Sequence, residues 1–439
     1  MMRYAERRDR ALTSFDGGVA VIPSARLATR NADSEYEFRQ NSTFFYLTGF
    51  DEPDALLVLA PEHPSHRSIL FLRTRDRAQE IWTGKRLGVE RAIEALQVDA
   101  AYPIADLDER LPEYLCDAHV LYYDIGIDES MDRRVLAARE QAHAITRRRG
   151  YAAASIASPC TVIDAMRLIK SPDEIATMRA AANITALGHR AAMRATRPGL
   201  FEYQIEALLE YEYRYAGAQS TAYESIVAGG TNATVLHYNT NRDRLADGAL
   251  LLVDSGCELD FYASDVTRTW PVNGRFSPEQ RAIYEIVLAA NQAGIAQVQP
   301  GTPQRAFHEA AVRTITHGLI EIGLLEGSLD ENIERERYRD FYMHGSGHWL
   351  GLDVHDAGRY RDDDDRPILL RPGMVTTVEP GIYVHADLHC DERFKGIGVR
   401  LEDNILVTQD GNENLTAMIP SSIDAIEAIV GSSPCALVS

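Results

Sequence analysis

Four acidic residues in the second half of the chain stand where apolar, strand-like runs end or bend. They are Asp254 after residues 249–253, Asp265 within 262–269, Glu379 after 375–378, and Glu402 within 398–404. A carboxylate at the end of a buried strand is costly unless a partner compensates its charge. The ten residues between Asp254 and Asp265 are enough for a hairpin that brings the two aspartates side by side. Alternatively, one aspartate could cap a turn while the other faces water.

Three histidines lie within twelve residues, 344–355, which also hold three glycines. His344 and His348 have the i, i+4 spacing of a helical zinc-binding motif. Two glycines between them oppose a helix, and no glutamate follows His344. We therefore expect a glycine-rich loop or strand in which His344, His348 and His355 have a functional role.

These acids and histidines together suit a pair of divalent metal ions. At an effective dielectric constant near 20, two like charges about 4 Å apart repel each other by roughly 4 kcal/mol. Four carboxylates and one neutral histidine carry a charge of −4, which two divalent cations would neutralise. An oxygen-rich set with one imidazole suits Mn²⁺, Co²⁺ or Zn²⁺, and it favours Mn²⁺. Two such ions about 3.5–4 Å apart can share a water molecule and convert it to hydroxide near neutral pH.

The elements that must hold these residues differ between two parts of the chain. Up to about residue 165, short apolar strands alternate with helical stretches, which indicates an α/β domain. A helix begins at Ser171-Pro172-Asp173-Glu174, which has a serine cap, a first-turn proline and a glutamate at the third position. Helices over 175–197 and 201–215 then precede strands mixed with further helices, which is an α+β pattern. We predict domains over 1–165 and 166–439, with the chemistry in the second.

The composition limits the classes of function. The 439 residues are 45% hydrophobic and 25% charged, which is ordinary for globular proteins. Lys plus Arg is 45 and Asp plus Glu is 65, so the net charge is −20, which argues against nucleic acid or an anionic membrane as the main partner. The N-terminus has no apolar signal segment, and five scattered cysteines argue against a disulfide framework. We therefore expect a soluble, cytoplasmic protein without a membrane span.

Several segments resemble the pita-bread metallopeptidases, which hold two metal ions, and most closely the aminopeptidase P (Xaa-Pro aminopeptidase) subfamily. Five candidate metal ligands follow the order and local motifs of that family, namely Asp254, Asp265, His348, Glu379 and Glu402. The other resembling segments are NADSEY (31–36), RQNS (39–42), EIWTGKRLG (80–88), LHY (236–238), VDSGCE (253–258) and DVTRT (265–269). The similarity spans nearly the whole chain. It implies an α+β pita-bread catalytic domain after a smaller α/β domain.

The resemblance also implies a role for each candidate residue of the site. The metal ligands would be Asp254 on one ion, His348 and Glu379 on the other, and Asp265 and Glu402 bridging the two. A hydroxide between the ions would attack the scissile carbonyl, and Glu379 would pass a proton to the leaving nitrogen. His237 and His355 would bind the substrate carbonyl and stabilise the gem-diolate that forms from it. Arg400, expected on the same strand face as Glu402, would support the metal cluster or the substrate.

The implied substrates are peptides with proline in second place. Proline's nitrogen carries no N–H that a protease could bind, and its ring opposes extended strand pairing. A rigid pocket for the ring would be walled by Tyr223, Leu236 and His344, although Tyr223 could be plain core and His344 could only brace its loop. From the first domain, Asp33 would support the substrate's amino group. Trp82 would cap the active site of a neighbouring subunit or else pack internally.

Two alternatives stay open at this point. A prolidase, which cleaves only Xaa-Pro dipeptides, is favoured by Gly347 but opposed by the absence of a Gly-Gly pair after His355. A non-catalytic binding protein on the same fold is disfavoured, because all five metal ligands are present. The acidic run 362–365 is expected to be a solvated loop, with Arg366 beyond it as a candidate substrate contact. The family implies a homodimer or homotetramer.

Overall fold

The computed structural model of the chain describes residues 2–147 and 152–433. The chain divides into two compact units, Met1–Met166 and Arg167–Ser439. The sequence-based domain boundary after residue 165 stays a prediction, because compactness does not show that either unit folds by itself. Within the described ranges, no helix is long and apolar enough to cross a membrane. Four of the five cysteines are free, and the fifth, Cys435, lies outside the described residues.

The first unit contains a mixed sheet and the helices that cover it. Its strands are β1 (Gly18–Pro23), β2 (Thr29–Asn31), β3 (Ser34–Glu35), β4 (Leu56–Leu59), β5 (Ser68–Leu72), β6 (Ala100–Pro103), β7 (Val120–Tyr122) and β8 (Ser155–Ala157). Its helices are α1 (Met2–Ser14), α2 (Ser42–Thr48), α3 (Arg77–Thr83), α4 (Val89–Leu96), α5 (Leu107–Leu115) and α6 (Glu129–Thr146). Helix α7 (Cys160–Leu168) crosses the division between the units in sequence.

Continuous apolar runs form the centre of the first unit's six-stranded sheet, whose strand order is β6-β5-β4-β1-β7-β8. Strand β1 pairs antiparallel with β4 and parallel with β7. Every residue of β4 and β5 is buried, as in sheets that are covered on both faces. One core cluster joins Val19, Val58 and Phe71 to Leu111 of α5 and Val135 of α6. The sheet and its helices agree with the α/β architecture predicted for this part.

The second unit mixes long helices with several small sheets. Its helices are α8 (Pro172–Ala195), α9 (Glu202–Tyr215), α10 (Pro278–Gln297), α11 (Ala306–Glu321), α12 (Leu329–Glu334) and α13 (Ile423–Ile429). Its strands are β9 (Ser220–Thr221), β10 (Ile226–Gly229), β11 (Leu250–Asp254), β12 (Cys257–Leu259), β13 (Tyr262–Ala263), β14 (Thr267–Pro271), β15 (Val375–Val378), β16 (Gly381–Tyr383), β17 (Gly398–Arg400), β18 (Asp403–Val407) and β19 (Asn412–Asn414).

The predicted start of the second unit's first long helix is confirmed. The Ser171 hydroxyl accepts a hydrogen bond from the Glu174 N–H, and the Glu174 carboxylate accepts one from the Ser171 N–H. This reciprocal pair satisfies two N–H groups that the first turn of a helix leaves without partners. Helix α8 is thereby fixed at its N-terminus, and it packs against α9 and the β12–β13 hairpin.

Antiparallel pairing sets the positions from which the site is built. Strand β11 lies between β10 and β14, and Asp254, its last residue, stands opposite Thr267, the first residue of β14. Strand β15 pairs with β18 so that Val378 stands opposite Asp403. Asp254 is therefore the last residue of β11. Glu379 directly follows β15, and Glu402 directly precedes β18.

Candidate metal centre and substrate cavity

A cavity of about 670 Å³ in the second unit gathers most of the residues that the sequence analysis selected. Those that line it are Tyr223, Leu236, His237, Asp254, Asp265, His344, His348, His355, Glu379, Arg400 and Glu402. Ile226 and Val354 add apolar surface that the sequence analysis did not anticipate. The cavity therefore combines a strongly acidic wall with apolar and imidazole surface.

Two selected residues, Asp33 and Trp82, belong to the first unit and do not line this cavity. Asp33 is exposed in the turn between β2 and β3. Trp82 lies on α3, none of whose residues is buried, and it is 85% exposed. The alternative that Trp82 packs internally is therefore wrong.

The two aspartates lie side by side. The Tyr223 hydroxyl is 2.6 Å from Oδ1 of Asp254 and 2.6 Å from Oδ1 of Asp265. The hairpin formed by β12 and β13 separates the two aspartates in sequence and returns the chain to the same place. Tyr223 consequently lies in the acidic site instead of in the apolar core.

Two of the candidate ligands do not lie within strands, contrary to the prediction. Asp265 sits in a bend between β13, which pairs with β12, and β14, which pairs with β11. Glu402 lies between β17 and β18, because the Leu401 N–H donates to the Pro380 carbonyl and the Glu402 N–H donates to the Thr267 carbonyl. The chain thus changes its pairing partner at both positions, and the strand face expected to be shared by Arg400 and Glu402 does not exist.

His348 presents one particular nitrogen to the acids. Its Nδ1 lies 3.0 Å from the Trp349 carbonyl oxygen, which can only accept, so Nδ1 carries the proton. Nε2 then faces Asp265 Oδ2 at 3.3 Å and Glu379 Oε1 at 3.7 Å, where it can hold either a second proton or a metal ion. A histidine whose second nitrogen bonds a backbone carbonyl is the usual arrangement for a metal ligand.

The ligand atoms are close enough to share a cation. One atom each from Asp265, His348 and Glu402 lies within 4.8 Å of the others. Asp254 joins this group through the Tyr223 hydroxyl, and Glu379 joins it through His348. These five side chains could hold metal ions between them.

The electrostatics of the cluster show that it needs positive charge. Burial, followed by repulsion from Asp265 and Glu379, raises the pKa of Glu402 well above its usual range. Burial likewise raises the pKa of Glu379 to about 7. Burial opposes protonation of His348, but Asp265 and Glu379 outweigh it and raise the His348 pKa to about 9. A proton on His348 and a bound cation are alternative ways to offset these carboxylates, so the residues fit divalent metals.

Arg400 supplies permanent positive charge to the acidic wall. Its Nη2 donates to Asp254 Oδ2 at 2.7 Å, and its Nη1 donates to the Tyr383 hydroxyl at 3.0 Å. Its Nε donates to Thr267 Oγ1 at 3.1 Å, and the Thr267 hydroxyl donates to Glu402 Oε2 at 2.8 Å. Tyr383 and Thr267 were not among the site residues predicted from the sequence. The alternation in 265–269 could have revealed Thr267, which is two residues beyond Asp265, whereas no sequence pattern marked Tyr383.

The remaining histidines differ in how firmly they are held. His344 Nδ1 donates to the Gly345 carbonyl at 2.6 Å, so its Nε2 accepts from the Tyr383 hydroxyl at 2.8 Å. Burial, helped by Arg400, lowers the His344 pKa to about 3, which keeps this ring neutral. The His355 ring packs edge-on against His348, with the ring centroids 4.3 Å apart. His237 is exposed on a loop at the cavity wall.

Gly347, which favoured a prolidase, and the acidic run 362–365 both have local structural explanations. A Cβ at Gly347 would stand 2.1 Å from the Thr377 carbonyl oxygen, so close backbone approach requires glycine there whatever the substrate. Three of the four residues in the acidic run 362–365 are exposed and Asp362 is half-buried, and their carboxylates pair with nearby arginines. Arg366 binds Asp362 with Nε 3.0 Å from Oδ2 and does not line the cavity.

Comparison with known proteins shows the family to which the chain belongs. Residues 176–409 match the family model of metallopeptidase family M24, and residues 4–122 match that of the aminopeptidase P N-terminal domain. The chain belongs to metallopeptidase family M24. This M24 chain is 45% identical over 428 residues to an Xaa-Pro aminopeptidase of Haemophilus influenzae, an alignment that covers 97% of this chain and 96% of the relative.

Solved structures of M24 relatives agree over almost the full length. The Pseudomonas aeruginosa aminopeptidase PepP superposes with a TM-score of 0.94 at 45% identity, covering 97% of each chain. Zinc-substituted Escherichia coli aminopeptidase P in complex with product superposes with a TM-score of 0.94 at 43% identity, covering 98% of this chain and 97% of that one. The predicted M24 architecture, an α+β pita-bread domain after a smaller α/β domain, is confirmed.

Proposed function

We propose that this M24 protein is an Xaa-Pro aminopeptidase, which hydrolyses the bond between the first residue of a peptide and a proline in second place. The observation that carries the proposal is the convergence of four carboxylates and His348 in one cavity. Similarity to Xaa-Pro aminopeptidases over 97% of the chain supports the same substrate class. A prolidase is less favoured, because Gly347 is explained by backbone packing alone.

The metal centre that we propose uses the five side chains predicted from the sequence. Asp254 would hold one ion, His348 and Glu379 would hold the other, and Asp265 and Glu402 would contribute to both. Four carboxylates and one imidazole favour Mn²⁺, with Co²⁺ or Zn²⁺ as substitutes. The ions would supply Lewis-acid polarisation of the scissile carbonyl and activation of water.

The protein's own residues perform the remaining tasks. Glu379 takes a proton from the attacking water and delivers it to the proline nitrogen, which must be protonated to leave. His237 and His355 hold the carbonyl oxygen on which negative charge develops. Arg400 holds Asp254 in place by donating a hydrogen bond to it, and its charge opposes the rise in the Asp254 pKa that burial causes.

The proline side of the substrate would occupy the less acidic part of the cavity. Leu236 and His344 would wall this part, and Tyr223 would border it from beside the two aspartates. Hydrogen bonds at both ring nitrogens hold His344 in place. Rigid walls suit a ring whose shape is fixed and that offers no N–H for hydrogen bonding. For Asp33 and Trp82, the substrate-binding roles stay proposals that substitution would test.

The net charge, the cysteines and the exposed apolar side chains bear on the enzyme's partners, its location and its oligomeric state. A net charge of −20 opposes nucleic acid and anionic membranes as the main partners. Free cysteines at four described positions support a reducing, cytoplasmic location. The exposure of Ile81 and Trp82 on α3 supports a homodimer or homotetramer, which sedimentation would measure directly.

One experiment tests the proposed activity. Purified protein is stripped with EDTA, reloaded with Mn²⁺, Co²⁺ or Zn²⁺, and incubated with Ala-Pro, Ala-Pro-Ala and Ala-Ala-Ala. We expect Ala-Pro-Ala to release alanine, Mn²⁺ to support the highest rate, and Ala-Ala-Ala to remain intact. A Glu379→Ala variant is the matched control for contaminating peptidases. Cleavage of Ala-Pro alone would identify a prolidase, and no cleavage by metal-loaded protein would contradict a peptidase altogether.

A further inference from the structure

A further carboxylate of the second unit, Glu202, is fully buried although it does not line the cavity. It is the first residue of α9 and is 0% exposed. A buried carboxylate is costly unless hydrogen bonds compensate for the lost water. Its position in the first turn of a helix provides part of that compensation, because the helix N-terminus favours negative charge.

Four hydrogen bonds, two at each oxygen of the Glu202 carboxylate, compensate for the remaining cost of burial. Oε1 accepts from the Gly229 N–H at 2.8 Å and from Asn232 Nδ2 at 3.0 Å. Oε2 accepts from the Tyr238 hydroxyl at 2.8 Å and from the Asp243 N–H at 2.8 Å. An ionised carboxylate offers about four acceptor positions and no donor, so this set of donors matches it fully.

All four donors belong to one segment, residues 229–243, that carries part of the cavity wall. Leu236 and His237 of this segment line the cavity, and Tyr238 follows His237 directly. After the 3-10 helix Gly230–Thr234, the segment has no further regular structure before residue 243. Hydrogen bonds, rather than a helix or strand, must therefore fix the path of the chain on which His237 stands.

Glu202 fixes both ends of this segment as well as its middle. Its carboxylate holds Gly229 at one end and Asp243 at the other, and its own N–H donates to the Asp243 carbonyl at 3.0 Å. Burial and the hydrogen bond to Glu202 raise the Tyr238 pKa to about 12, which keeps this hydroxyl a donor. Leu236 and Tyr238 also pack on a small core cluster that includes Ile226.

We propose that Glu202 is a positioning residue that holds segment 229–243 and, through Tyr238, places His237 at the substrate carbonyl. The proposal rests on the proposed function, because it takes His237 as a group that binds this oxygen. A displacement of about 1 Å at a reacting geometry can cost up to 10²-fold in rate. Glu202 would thus affect catalysis without contact with the substrate.

Glu202→Gln tests the proposal, because it keeps the shape but turns an NH₂ group toward two donors. We expect kcat for Ala-Pro-Ala to fall about tenfold and KM to stay within about twofold. Glu174→Gln is the matched control, since Glu174 is also a buried glutamate that accepts from a backbone N–H and a tyrosine, Tyr262. The control should leave kcat and KM within about twofold.

A double-mutant cycle separates positioning from general stability. His237→Ala should lower kcat by about 10²-fold, and adding Glu202→Gln to it should change kcat by less than about twofold. An equal loss from Glu202→Gln in the presence and absence of His237 would overturn the proposal, as would an unchanged kcat in the single variant. If Glu202→Gln does not fold, Tyr238→Phe replaces it in the same cycle, with an expected loss in kcat of about threefold.

Hydrogen exchange gives a readout that does not depend on activity. Glu202→Gln, or Tyr238→Phe in its place, should speed amide exchange within 229–243 and leave α9 and β11 as in the wild type. Unchanged exchange in this segment would overturn the proposal. A wild-type protein that does not cleave Ala-Pro-Ala would instead contradict the proposed function, and the exchange result would still decide whether Glu202 holds the segment.

Discussion

Arg400 and Asp254 form a buried ion pair inside an otherwise acidic cluster, with Nη2 2.7 Å from Oδ2. Arg400 is 4% exposed, and it is the only arginine or lysine among the described residues that line the cavity. Burial raises the pKa of Asp254 even against the influence of Arg400. The pair therefore leaves the cluster with a large excess of negative charge, which bound cations would offset.

Arg400→Met should destabilise the second unit by about 3–5 kcal/mol in EDTA, because it leaves Asp254 buried without its partner. Saturating Mn²⁺ should reduce this loss, since added positive charge partly replaces the guanidinium. Urea denaturation followed by tryptophan fluorescence would measure it in a Trp82→Phe background, where Trp270 and Trp349 report on the second unit alone. The exposed Arg393→Met should stay within about 0.5 kcal/mol. An identical loss with and without Mn²⁺ would contradict the compensation argument.

Glu379→Ala should lower kcat by at least about 10²-fold, because it removes both a proposed metal ligand and the proton shuttle. Turnover of Ala-Pro-Ala at saturating Mn²⁺, together with the metal content per chain, would measure the two roles separately. Glu392→Ala, at an exposed glutamate paired with Lys395, is the control and should be unchanged. Retention of more than a tenth of the wild-type kcat would contradict the double role.

Asp356, next to His355, should make stability depend on pH. Burial alone would raise its pKa, but Lys170 and Arg167 outweigh burial and hold the pKa below its usual value. Lys170 Nζ is 2.9 Å from Asp356 Oδ2, and both groups are buried. Folding therefore favours the ionised form. The resulting stabilisation is fully present above the unfolded pKa of about 3.9 and is lost as the pH falls through the lower folded pKa.

Asp356→Asn should accordingly cost about 3–5 kcal/mol at pH 7, and its difference from wild type should shrink below about pH 4. Urea denaturation in the Trp82→Phe background between pH 3 and 7 would measure this difference. Asp363→Asn, at an exposed carboxylate paired with Arg359, should differ by less than about 0.5 kcal/mol throughout. A constant Asp356→Asn difference across this range would show that the lowered pKa does not contribute.

The sequence predicted those site residues whose positions follow from local pattern. Asp254 and Glu379 stand directly at or after apolar strands, and Ser171 with Glu174 forms a cap that local spacing alone specifies. The placement of Asp265 and Glu402 could not be predicted in the same way. Each lies where the chain leaves one pairing partner for another, and partner choice depends on distant segments.

The same reason explains which supporting residues the sequence analysis missed. Tyr383 and Arg400 meet because β16 pairs with β17, and Glu202 meets Tyr238 across 36 positions of sequence. Thr267 is the exception, because its two-residue spacing from Asp265 was visible. Polar side chains that hydrogen-bond a site residue from a distant segment do not form a recognisable sequence pattern. Their hydrogen-bond partners are visible only in the folded chain.

Thr267→Val tests whether such a supporting residue tunes the metal centre. The Thr267 hydroxyl donates to Glu402 Oε2 and accepts from Arg400 Nε, so valine keeps the shape but removes both bonds. Loss of a hydrogen bond that orients a metal ligand typically costs 10–100-fold in affinity. We therefore expect the Mn²⁺ dissociation constant, measured by calorimetric titration, to rise by about that factor. Thr316→Val, which removes a buried hydroxyl bonded only within α11, is the control, and equal affinities in the two variants would contradict this role.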